Sequence, residues 1–190
     1  MDELVNRISE TPWSVGLRES LFVWPMLEAA HVLTLMLFVG SIMMVDLRLL
    51  GWAFTRVPVS QFDRRILPWA IGGFALMVIT GVILVYAKPL VYYYSVFFRA
   101  KMVLLVLGLA NILWFHFRVQ KNQADWDHAE RLPGAVRRAG FVSLTVWIAI
   151  VVLGRMIAYD FLDCGKLEPG GLLAGFASCP APSNTLAEAI

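Results

Sequence analysis

Charge is scarce in this chain. Only 16% of its 190 residues are Asp, Glu, Lys or Arg, against 59% hydrophobic residues, and the mean hydropathy is +0.69. A soluble domain carries roughly a quarter charged residues, so water is not the solvent of most of this sequence. The net charge of +2 is too small to point to nucleic acid. Histidine and cysteine are scarcer still, at three and two residues. No CxxCH occurs, which excludes covalently attached c-type haem. No conventional zinc motif, phosphate-binding loop or nucleophile beside a base is present, so the residues do not spell out an enzyme. The opening MDELVNRISE begins acidic and lacks a basic segment and a small-residue cleavage site, so no signal peptide is expected.

What the sequence does have is long apolar blocks. A membrane helix needs ~20 mostly apolar residues, and four blocks meet that, at about 21–45, 66–87, 95–117 and 140–160. The expected fold is all-α: a four-transmembrane-helix up-down bundle over residues 21–160. Residues 1–20 read as an amphipathic segment lying on the membrane, with Thr11-Pro12 as helix cap and first turn. The 118–139 loop is polar and broken at Pro133-Gly134, and His128 within it reads as a solvated surface residue.

The basic residues set the topology. Arg48, Arg56, Arg64, Arg65, Arg118, Lys121, Arg131, Arg137 and Arg138, nine of the sixteen Lys and Arg, fall in the first-to-second and third-to-fourth connections. The positive-inside rule puts those connections in the cytoplasm and both termini in the periplasm of a bacterial inner membrane. Cys164 and Cys179 then lie in an outward tail, 161–190, where a disulfide is permitted. Two unpaired thiols are the alternative.

Ionisable residues inside spans are costly and usually functional. Here they are Glu28, His31, His116 and Arg155, with Arg99 and Lys101 at the border of the third span. Glu28 and His31, three apart, share a helix face, and a Glu28–Arg155 pair across spans one and four is reasonable. At 1.5 Å per residue His31 lies ~15 Å deep and His116 ~21 to 25 Å. Spans one and three are diagonal in an up-down bundle. The two histidines are therefore candidate axial ligands of one haem b, with Arg99, Lys101 and Arg155 for its propionates and Gly73 and Gly81 leaving room for the porphyrin. The plainer reading has each histidine hydrogen-bonded separately, His31 to Thr34 or Glu28, and the glycines packing helix on helix.

Five stretches carry a resemblance over nearly the whole chain: TPWSVGLRES, HVLTLMLFVGSIMMVDLRLLG (31–51), LPWAIGGFALMVITG (67–81), VFFRAKMVLLVLGLANILWFH (96–116) and GRMIAYDFLDC (154–164). Together they resemble a family of bacterial four-helix inner-membrane proteins without an assigned activity. That resemblance implies the fold and the compartment. Span one is also loosely similar to the membrane part of copper-resistance D proteins, and the chain bears a weak likeness to b-type cytochromes.

Three functions follow as expectations. One is an electron-transfer subunit between quinol and a periplasmic redox protein, with haem b on His31 and His116 and with Glu28 accepting a proton. Another is copper handling through the thioethers of Met36, Met43, Met44, Met77, Met102 and Met156, since soft ligands select Cu(I). The third is a non-catalytic assembly subunit of a membrane complex, with the lipid bilayer as surroundings and no cofactor.

Overall fold

A computed structural model gives the structure of residues 2–127, 129, 132–159, 162, 164, 166–168 and 170–179. His128, Arg131, Asp160 and residues 180–190 lie outside the described residues. Four long helices dominate: α3 (Val23–Leu50), α4 (Val59–Ala87), α6 (Val96–Trp114) and α8 (Gly134–Ile157). Short helices accompany them: α1 (Asp2–Ser9), α2 (Pro12–Glu19), α5 (Pro89–Tyr93), α7 (Gln123–Trp126) and α9 (Leu172–Ala177). No strand occurs among the described residues.

Local chemistry sets the helix limits. Pro25 sits in the first turn of α3, where a missing N–H leaves no bond unmade. Gly51 ends α3 with φ of 74°, its N–H bonding Arg48 O while the Trp52 N–H reaches back to Leu47 O. Only glycine takes that left-handed position without strain, and the paired bonds satisfy two orphan carbonyls. Ser95 caps α6 by accepting from the Phe98 N–H at 3.2 Å. Beyond Trp114 the helical run continues through a π turn, Phe115–Val119, and a 3-10 turn, Gln120–Asn122. Thr11 caps α2, with Pro12 in its first turn.

Apolar side chains point outward from the long helices. Leu33, Ile71, Val82 and Val106 are each at least 60% exposed, the reverse of a soluble bundle. With four helices long and apolar enough to span a bilayer, the chain is an integral, multi-pass membrane protein.

The interior is narrow. Trp147 of α8 is fully buried, its ring edge-on to Phe38 at 4.7 Å, and Phe38 meets Phe74 at 5.1 Å. At Gly73 the backbones of α3 and α4 touch: a Cβ there would stand 2.9 Å from Phe38 N. Gly140 does the same for α8, where a Cβ would meet Leu49 Cβ at 3.0 Å. Helix α3 packs along α4 and α8, and α8 along α6, whereas α4 and α6 make no comparable approach. The ring of helices is therefore tight on three sides and loose on the fourth.

One end of the bundle carries α1, α2, α5 and α9, the described elements next to the two termini, and is the terminus-bearing end below. There the Thr11 hydroxyl bonds the Tyr86 hydroxyl at 2.9 Å and Ser14 Oγ donates to Ala87 O at 3.1 Å, pinning α2 to α4. Cys164 and Cys179 are joined by a disulfide. Arg99 ties α9 to the bundle by donating to Phe176 O at 2.7 Å and Ser178 Oγ at 2.9 Å. The opposite end carries the 51–58 and 115–133 connections, and is the loop end below.

Candidate functional site

The in-span polar groups converge near the terminus-bearing end. His31 lies eight residues into α3, ~12 Å along it. Its Nδ1 meets Thr80 Oγ1 of α4 at 2.9 Å. That hydroxyl is also within bonding distance of Leu76 O, at 2.9 Å, and Met77 O, at 3.1 Å. A hydroxyl has one proton. Given to those carbonyls, it leaves Thr80 to accept from His31 Nδ1–H. The imidazole then carries its lone pair on Nε2, which has no hydrogen-bond partner among the described residues.

The room for that ring comes from Gly81. A Cβ at this position would stand 3.2 Å from His31 Cε1. Lys101 of α6, five residues into its helix, lies within electrostatic reach of the same imidazole. Its Nζ rests against Gly154 of α8, 3.4 Å from where a Cβ would be. Lys101 is half-buried and makes no hydrogen bond or ion pair among the described residues. One layer thus joins α3, α4, α6 and α8 around an anchored imidazole and an ammonium that no described residue compensates.

The other expected site residues divide. Glu28 is exposed, a turn above His31, and its charge reaches Tyr92 of α5. Burial pushes the Tyr92 phenol above its ordinary value, and the Glu28 charge adds to that. Arg155 is also exposed. It donates to the Tyr159 hydroxyl at 3.0 Å and stacks over that ring. No Glu28–Arg155 ion pair forms, and Arg155 turns instead to Tyr159 near its own helix end. Arg99 is committed to the tail and to Tyr93 O. Gly73 opens no slot, since the Phe38 backbone fills the space beside it.

His31 and His116 are not brought together. Lys101 shares the layer of His31, and His116 stands fifteen residues further along the same helical run, ~20 Å away. It is exposed on the π turn, with Nδ1 bonded to Gln120 Oε1 at 2.8 Å. Two imidazoles on opposite faces of one porphyrin cannot be that far apart, so the pair does not fit a shared haem. The His31 imidazole bonds neither Thr34 nor Glu28: the Thr34 hydroxyl returns to the backbone carbonyls of Ala30 and His31 in its own helix.

A second polar cluster, which sequence reasoning took only for topological charge, lies at the loop end. Asp46, Arg48, Asp63 and Asp127 are each 9% exposed or less. Arg48 Nε donates to Val57 O at 2.8 Å, and its charge faces Asp127 and Asp63. Asp127 accepts from the Ser60 N–H at 2.9 Å and from the Ser60 hydroxyl. Asp46 lies against Ser143 of α8, and its Oδ2 is buried without a partner, as is Asp63 Oδ1. A signal existed in the repeated charge of VDLRLLG at a helix end, but burial there depends on the distant 115–133 connection folding back over it.

No group of three His, Cys, Asp or Glu side chains able to hold a metal ion occurs among the described residues. No curated protein and no solved structure matches the chain, and the likenesses to copper-resistance D proteins and b-type cytochromes have no support in these comparisons. A family profile does match, over residues 23–160, which hold all four long helices, the His31–Lys101 layer and the loop-end cluster. The chain belongs to the family of unknown function DUF6644.

Proposed function

We propose that this protein is an electron-transfer subunit whose His31–Lys101 layer takes the headgroup of a quinol from the bilayer. The observation that carries the reading is the pairing of an imidazole, held at Nδ1 by Thr80, with a Lys101 ammonium that has no anion or acceptor among the described residues. A charge left alone inside a span is expensive unless something completes it. A quinone oxygen can accept from Lys101, and a quinol hydroxyl can donate to His31 Nε2. The loose α4–α6 side offers a path from lipid. Oxidation of one quinol releases two protons and two electrons. His31 and then Glu28 would accept protons on the way to the periplasm, and a periplasmic redox protein would take the electrons.

Haem b has a smaller place in this reading. His116 cannot share an iron with His31, so a haem would rest on His31 alone, and no step is drawn through one. Copper handling gains nothing from the geometry: Met77, next to the site in sequence, is buried in the apolar core.

The test is extraction of the protein purified in mild detergent, together with its reduced-minus-oxidised absorption spectrum. The reading predicts quinone near one per chain, lost on His31→Ala and retained on His116→Ala. A b-type α-band that vanishes with His31→Ala would replace the quinone by a haem. Absence of both from protein purified from quinone- and haem-replete membranes would overturn the reading.

A further inference from the structure

At the loop end a cavity of about 530 Å³ opens between the 51–58 connection, α3 and the start of α8. That volume lies within the usual range for small-molecule sites, ~300–1,000 Å³. Its described lining includes Arg48, Arg56 and Arg137 against the one carboxylate of Asp127. Among the described lining residues the balance is positive, and Asp127 is already engaged by the N–H and hydroxyl of Ser60. Arg48 is 5% exposed, and among the described residues only its Nε is hydrogen-bonded, so both Nη groups remain to donate. A guanidinium presenting free Nη donors in a cavity is suited to the paired oxygens of a phosphate.

The level of the cavity narrows the source. Arg48 lies two residues before the end of α3 and Arg137 three residues after the start of α8, where those helices leave the apolar layer. Trp52, 65% exposed, forms part of the wall, and such aromatics favour the membrane interface. We propose that this cavity binds a phosphate monoester or diester, foremost the headgroup of an anionic phospholipid. The proposal is independent of the quinol reading, which concerns the other end of the bundle.

The full chain would be placed in nanodiscs of phosphatidylcholine alone or with phosphatidylglycerol, and thermal unfolding followed. The expected result is a stabilisation by phosphatidylglycerol of about 5 °C or more. The double variant Arg56→Gln/Arg137→Gln, at exposed positions, should lose more than half of it. Arg64→Gln/Arg65→Gln removes the same charge nearby but outside the cavity and should keep it. Glycerol phosphate or inorganic phosphate, added to phosphatidylcholine discs, separates the sources. A full shift there, lost in the cavity variant, would assign the site to a soluble phosphate. Equal unfolding of the wild type under every condition, or equal loss in both double variants, would overturn the proposal.

Discussion

At the loop end Arg48 faces Asp63 and Asp127, and the Val57 carbonyl and Ser60 complete a network from three parts of the chain. At the terminus-bearing end Lys101 has no carboxylate and no acceptor among the described residues, only an imidazole already bonded to Thr80. Both are cations in a four-helix membrane protein, yet only one is balanced from within. Balanced buried charge holds elements together, and removing one partner leaves the others stranded. Unbalanced charge adds nothing to the apo fold and is retained for what it meets. The difference separates a site that builds the bundle from one that uses it.

Four substitutions break or sharpen that contrast, and unfolding in detergent reads all of them. Arg48→Met should cost the most, about 3–5 kcal/mol, because it leaves buried carboxylates uncompensated. Gly73→Ala should cost about 1–3 kcal/mol by forcing α3 and α4 apart where the Phe38 backbone touches, with no charge involved. Thr80→Val removes the acceptor of His31 Nδ1–H and should cost about 1 kcal/mol. It should also weaken quinone binding, since the imidazole is no longer held in one tautomer. Lys101→Met should leave the empty protein as stable as before or slightly more so, while removing the ligand's partner. A loss of stability in Lys101→Met as large as in Arg48→Met would erase the distinction between the two ends.

The spans were legible because a bilayer demands long apolar runs and the sequence has four of them. Thr11-Pro12 was equally readable, since capping is local. The pairing of sites was not. His31 and His116 are alike in composition and lie on diagonal helices, but their levels depend on where each helix begins and on His116 falling on a π turn past the end of α6. Gly73 and Gly81 share a sequence face and differ in what lies opposite: a backbone for one, the His31 ring for the other. Lys101 was visible as a border charge, but its isolation was not, because Arg99 and Arg155, its neighbours by depth, turn to the tail and to Tyr159. The loop-end network was hidden for the same reason: it joins residues as far apart as Ser60 and Asp127.

The most direct test of the central claim is equilibrium binding of a quinone analogue to the protein in nanodiscs, read by quenching of tryptophan fluorescence. Wild type, Lys101→Met and His116→Ala would be compared. Loss of a charge-assisted hydrogen bond, about 1.5–3 kcal/mol, corresponds to roughly 10- to 100-fold in affinity. The account predicts saturable binding, weakened by that factor in Lys101→Met and unchanged in His116→Ala. Quenching that does not saturate, or that is the same in all three proteins, would contradict it.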